Sequence, residues 1–195
     1  MKFEFTYYEE FFHIAIDTYK EIVKLEKEHS ELQVNTSESE KSSRNFVYKV
    51  AEKNDRIGLL VLIVVVFCAT SLEAYINHYA ISHLSKNYLK TYLDKLDLLS
   101  KWIVIPRITT GTQLDAGSRP LKDLSWLITL RNKLVHYKSR TVSIEEIKDT
   151  DFLRGNDAKR AIETVKNVAQ ELKKIDNNIY IDWTAKSYNK YPFFD

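Results

Sequence analysis

From Tyr8 onward, apolar residues recur at three- and four-residue intervals. Tyr8, Phe12, Ala15, Tyr19, Ile22 and Val23 fall on one side, and Glu9, Glu10, Asp17 and Lys20 on the other. That spacing lays one stripe of a 3.6-residue helix against a core, and it predicts a first helix over about residues 7–31. The segment 35–43, NTSESEKSS, lacks large apolar residues and reads as a mobile connection. A second long helical region is predicted over about 44–85, with an interruption near Asn54 and Asp55. Its run from Ile57 to Thr70 is apolar on every side. Val and Ile favour strands when isolated. Here Leu72, Ala74, Tyr75, Ile76 and Tyr79 continue helical spacing beyond the run, which decides for a helix buried all round in a bundle.

Further along, Tyr88, Leu89, Tyr92, Leu93 and Leu96 predict a short amphipathic helix over 86–99. Residues 102–120 hold two of the four glycines and two of the three prolines, and read as a long structured loop. Pro120 stands where a helix can start, and LKDLSWLITLRNKLVHYK fills residues 121–138. Asn156 or Asp157 is placed to cap a last helix over about 158–175. The tail that follows is aromatic enough to dock onto the body or onto a second subunit. The expected fold is all-α, an antiparallel bundle of about five helices with a long structured loop before the helix at 121–138. One domain is expected over 1–195: an N-terminal helix and linker (1–44), a core bundle (45–175) and an aromatic C-terminal tail (176–195).

Composition agrees with helix: the chain is 44% hydrophobic and 29% charged, with 4 Gly and 3 Pro in 195 residues. Cys68 is alone and lies in the apolar run, so neither a disulfide framework nor a cysteine zinc site is available, as in a reducing compartment. The acidic, aromatic start MKFEFTYYEE differs from the basic-then-apolar start of a secretory signal. The 14-residue run from Ile57 to Thr70 is shorter than the ~20 residues of a spanning helix, and Glu73 and Asn77 follow it. A cytoplasmic protein without membrane attachment is therefore expected. The net charge of +2 is unevenly spread. Residues 1–40 carry four lysines against ten Asp and Glu, whereas residues 101–140 carry eight Lys and Arg against Asp115 and Asp123. A basic segment in a nearly neutral chain marks either an anion site or solvated helix faces paired with the acidic N-terminal segment.

Residues 121–138, placed on a wheel at about 100° per residue with Arg131 at zero, give that segment its chemistry. Leu124, Val135 and Ile128 fall at about 20°, 40° and 60°, and Leu127 and Leu134 at about −40° and −60°. Arg131 is thus centred on the apolar face, while Asn132 and His136 project from its edge at about 100° and 140°. An arginine in that position needs a carboxylate partner or an anionic ligand, because burying an unpaired charge costs several kcal/mol. Glu73, which interrupts the apolar helix, is the natural internal partner.

Arg131 and His136, with four residues between them and Asn132 directly after the arginine, resemble the Arg-x4–6-His signature of the HEPN superfamily, helical domains of higher eukaryotes and prokaryotes. SLEAYIN, residues 71–77, is similar to the Glu-bearing helix of many members. The resemblance spans roughly residues 45–175. It implies metal-independent RNA cleavage, with two copies of the motif paired across a homodimer to form a composite cleft. By position, Arg131 would contact the scissile phosphate, His136 would transfer protons at the attacking 2′-hydroxyl or the leaving oxygen, and Asn132 would orient phosphate or imidazole. The chemistry is sound: imidazole titrates near neutrality (about 6.5), and a guanidinium matches the phosphate fork and keeps its charge. Toxins of one HEPN group carry a tyrosine two positions after the histidine; here that position is Lys138, and Tyr137 follows His136 directly.

The resemblance also implies a role in toxin–antitoxin systems or antiviral defence, with RNA as substrate and an antitoxin or other protein as a possible partner. Lys133, Arg107 and Arg119 are candidate substrate contacts by charge. The other reading is a non-catalytic HEPN-like module that binds a protein partner or a nucleotide through the same face, with Arg131 serving as a structural ion pair. His78 and His83 are five apart, not the four that places two imidazoles on one helix face, so no metal site is expected. GTQLDAG is not a phosphate-cradling Walker loop, and no cofactor is expected.

Overall fold

The computed structural model describes residues 6–41, 43–136 and 153–185; among them every element is helical and no strand occurs. The first helix, α1 (Tyr8–Asn35), buries Tyr8, Phe12, Ala15 and Ile22, the stripe that the spacing predicts, and runs four residues past its expected end. A short helix, α2 (Glu38–Lys41), occupies part of the expected connection. The Ser37 hydroxyl and backbone N–H both donate to the Glu40 carboxylate (2.6 and 3.1 Å), a local cap that composition alone hides.

The central element is α3 (Arg44–His83), 40 residues and therefore about 60 Å long at the helical rise. Ser43 caps it by accepting the Phe46 N–H. The expected break at Asn54 and Asp55 does not occur: both are exposed, where polar side chains leave the backbone ladder intact. From Ile57 to Ala80 the helix supplies much of the core, with Val61, Val64, Val65, Cys68, Ala69, Leu72 and Ile76 fully buried. It packs against α1 and against the helices at Leu98–Thr110, Arg119–Val135 and Gly155–Ile175. Among the described residues, α3 is long and apolar enough to cross a membrane by length and composition. Half of its most apolar stretch is buried inside the fold, and Leu59 and Leu62 on the same helix are exposed.

Contacts between α1 and α3 run in opposite order along the two helices: Phe11 meets Phe67, Glu21 pairs with Arg56 and Glu28 with Lys53. The pair is thus antiparallel. Its outer part, the last half of α1 against the first turns of α3, buries little apolar surface and is joined by these ion pairs. At the other end, Ser71 donates to the Tyr8 carbonyl at 2.7 Å and fixes the start of α1 on the core.

The amphipathic helix expected over 86–99 is instead one α turn, α4 (Lys86–Tyr88), running into a π-helical turn at Leu89–Leu93. The long loop expected at 102–120 is largely a helix, α5 (Leu98–Thr110), with Pro106 inside it. Asp97 caps it by accepting the Ser100 N–H. A proline inside a helix forfeits one hydrogen bond and costs about 3 kcal/mol. Burial of Leu98, Trp102, Ile105 and Pro106 itself offsets that loss. Gly111, at φ +78°, takes the left-handed conformation that ends α5. Its N–H returns to the Arg107 carbonyl, and the Arg107 guanidinium donates to its carbonyl at 2.8 Å. Only Gly111 to Ser118 remains as loop, pinned by buried Leu114.

Helix α6 (Arg119–Val135) has Pro120 in its first turn and buries Leu121, Leu124 and Leu127. Helix α7 (Gly155–Ile175) starts three residues before the expected point. Asp157 acts from its third position, accepting the Arg154 backbone N–H at 3.0 Å, rather than as the cap itself. Asp123 joins the two helices, receiving Arg160 through Nε at 3.0 Å and Nη2 at 2.5 Å, while the Arg160 guanidinium lies 4.0 Å above the Trp126 ring. After α7 the chain folds back through a 3-10 turn at Asp182–Thr184. Trp183 there is fully buried among Tyr8, Phe12 and Tyr75, with ring centroids 5.0–5.5 Å apart. This part of the aromatic tail docks onto the body.

Candidate functional site at the end of α6

The wheel places Arg131 in line with Leu124 and Leu127, and the structure keeps that alignment but moves the core boundary. Leu121, Leu124 and Leu127 are buried, Ile128 and Leu134 are half-buried, and Val135 on the same stripe is 53% exposed. The apolar stripe outruns the core, so the last turn of α6 emerges from it. Arg131 sits at that margin with 24% of its side chain exposed. Its Nη2 donates to Oε2 of Glu73, from the C-terminal part of α3, at 3.5 Å. Glu73 is itself 43% exposed, so the pair is a long, partly solvated one. A contact of this kind contributes about 0.2–1 kcal/mol. It orients the guanidinium more than it stabilises the fold.

Asn132, Lys133 and His136 are exposed. The helix ends at Val135, three residues before its expected end. His136 is the C-cap, leaving helical geometry at φ −104° and ψ 33° while its N–H donates to the Asn132 carbonyl at 3.0 Å. Tyr137 and Lys138 lie outside the described residues. On the wheel the Arg131 and His136 side chains diverge by about 140°, and among the described residues no hydrogen bond or ion pair joins them. The fold thus brings Arg131 to Glu73 and leaves Asn132 and His136 facing outward.

The two other basic candidates have local partners. Arg107 caps the end of α5 on Gly111. Arg119 is almost fully exposed and lies 3.7 Å from Asp123, one turn along α6, on a carboxylate that Arg160 also uses. Among the described residues, no three His, Cys, Asp or Glu side chains gather as a metal site.

Two polar clusters went unread in the sequence. In the first, the Tyr79 hydroxyl meets Asp176 Oδ2 and Thr109 Oγ1, both at 2.9 Å, and His83 Nε2 lies 3.6 Å from the same carboxylate. Burial first, and then the Asp176 carboxylate, pushes the Tyr79 hydroxyl up to about 12. In the second, Lys101 is buried in α5 and donates to Asn77 on α3 at 3.1 Å. The sequence signals were a lysine among Leu98, Trp102 and Ile105, and an asparagine among Tyr75, Ile76 and Tyr79. Their significance depends on how α3 and α5 pack, and no local spacing reports that.

Comparison with known proteins adds no family: no protein-family model, no curated protein and no solved structure matches this chain.

Proposed function

We propose that the chain is a HEPN-type, metal-independent endoribonuclease that acts as a homodimer in the cytoplasm, in toxin–antitoxin or antiviral defence. The observation that supports this reading best is the last turn of α6. It presents a partly exposed arginine, oriented by Glu73, beside an exposed asparagine and an exposed terminal histidine. Arg131 would meet the scissile phosphate and offset its developing charge, and His136 would move the proton. Because the two side chains diverge along one helix, a second copy supplying the complementary pair is the economical way to assemble both at one phosphate. The antiparallel bundle around α3 would serve as the rigid support for that edge.

Cleavage of a labelled RNA by the purified chain in EDTA is the test. Cleavage is expected from the wild type and is expected to fall by about 10²-fold or more in Arg131→Ala and His136→Ala, the scale of losing one preorganised donor or one proton-transfer group. Cleavage at the wild-type rate in both variants would rule out the assignment. The second reading, a non-catalytic module binding a protein partner or nucleotide, is favoured by the same ion pair, since Glu73 already answers the charge of Arg131. It expects no cleavage by wild type or variants.

A further inference from the structure

A separate cavity of about 370 Å³ lies between the C-terminal part of α3, the π-helical turn and α5. Its lining does not include Arg131, Glu73 or His136. The volume falls in the range of about 300–1,000 Å³ usual for small-molecule sites. Ala80, Ile81, Leu93 and Ile105 form apolar walls, and Asn77 and Lys101 provide polar groups.

Lys101 is only 5% exposed. An ammonium has three protons to donate, and the hydrogen bond found for Lys101 goes to the neutral Asn77 Oδ1. Among the described residues no carboxylate lies in ion-pair distance of it, although Asp94 also lines the cavity. A buried, unpaired cation is costly, and this one borders a cavity that can admit a counter-charge. Because Asn77 accepts from the lysine through its oxygen, its amide nitrogen is left to donate as well. Lys86 and Lys90 add positive charge at the exposed rim. The wall carrying Leu89 and Leu93 is π-helical, an expanded geometry that recurs at functional sites.

We infer that this cavity binds a small amphipathic anion, with a carboxylate or phosphate head on Lys101 and Asn77 and a short apolar body against Ile81, Leu93 and Ile105. The site stands whether or not the chain cleaves RNA.

Calorimetric titration of the full chain with octanoate, octyl phosphate, 1-octanol and inorganic phosphate tests the inference, with folding of each variant checked by circular dichroism. At least one of the two amphipathic anions is expected to bind with one-to-one stoichiometry, and to bind about tenfold or more tightly than octanol and inorganic phosphate. Which head binds better separates a carboxylate site from a phosphate site. Lys101→Met, which keeps the stem and removes the charge, is expected to weaken anion binding by about tenfold or more and to leave octanol binding unchanged. Ile81→Glu, at a partly exposed wall position, is expected to weaken it through the added carboxylate even if Lys101→Met does not fold. Absence of binding by both anions would overturn the inference. So would wild-type affinity in Lys101→Met or Ile81→Glu, or inorganic phosphate binding as tightly as octyl phosphate.

Discussion

The Arg131–Glu73 pair contributes to the fold and orients the arginine of the proposed site, and a double-mutant cycle separates the two contributions. Glu73→Gln removes the charge but keeps an oxygen that accepts from the guanidinium. Arg131→Met removes the charge and keeps most of the apolar stem. At 3.5 Å, opposite unit charges attract by about 1 kcal/mol in water and about 5 kcal/mol at the effective dielectric of a protein margin. Side-chain exposures of 24% and 43% place this pair toward the aqueous limit, so the expected coupling is about 0.5–1 kcal/mol. For a chain of this size that corresponds to a shift in Tm of about 1–4 °C. Urea denaturation of the wild type, the two single variants and the double variant gives the coupling directly. RNA cleavage assays of the same four proteins test the proposed activity. Arg131→Met is expected to reduce cleavage by about 10²-fold, or about 2.7 kcal/mol of transition-state stabilisation, several times its effect on folding through the pair. Glu73→Gln is expected to cost less than Arg131→Met in cleavage, because it disturbs only the orientation of the arginine. A coupling of about 2 kcal/mol or more would refute the reasoning, since it would mean that the pair behaves as a buried structural bridge.

Two further predictions concern the core. Trp183→Ala empties a fully buried site among three aromatic rings and is expected to cost about 3–5 kcal/mol in denaturant unfolding; a loss below about 1 kcal/mol would mean that the described part of the tail contributes little to the fold. Burial pushes the Cys68 thiol well above its ordinary range, so Ellman's reagent at pH 8 is expected to leave the native chain unmodified and to titrate one thiol in denaturant. In the unfolded chain the thiol ionises near pH 8.5 while the folded chain keeps its proton, so the thiol's contribution to stability is complete below about pH 8.5 and falls as the pH rises above it. Comparison with Cys68→Ala isolates that contribution, and a stability that rises relative to Cys68→Ala above pH 9 would contradict it.

Helices that satisfy their own stripe could be read from the chain. In α1 the alternation of Phe12, Ala15 and Ile22 with Glu9, Asp17 and Lys20 defines one apolar stripe, and α3 covers most of it with help from α7 and Trp183. The apolar stretch of α3 had the composition of a strand, and it was resolved by the uninterrupted spacing into Tyr75 and Tyr79. Reading Arg131 as a core-facing arginine with Glu73 as its partner also required only the wheel and the position of the sole carboxylate within residues 57–80. The misreadings share a different cause. Pro106 and Gly111 look alike as breakers in sequence, yet one is carried inside a helix by the burial of Trp102 and Ile105, and the other ends that helix in left-handed geometry. Which role a breaker takes is set by what packs against it. The same holds at 86–99, where a regular apolar spacing becomes an α turn and a π turn rather than one amphipathic helix.

Exposure was the quantity the wheel could not supply. A wheel assigns direction around the axis but not depth along it, and α6 changes depth along its length: Leu124 and Leu127 are sealed, Arg131 is at the margin and Val135 is in solvent. That gradient turns a core arginine, which would need its carboxylate for the fold, into one whose guanidinium can reach a ligand while still being steered by Glu73. Lys101 is the converse case. Its side chain is buried at the wall of an open cavity, with a neutral amide as its hydrogen-bond partner. At Arg131 the protein supplies the counter-charge and solvent supplies the access. At Lys101 the protein supplies the enclosure, and the missing counter-charge is the reason to expect an anion there.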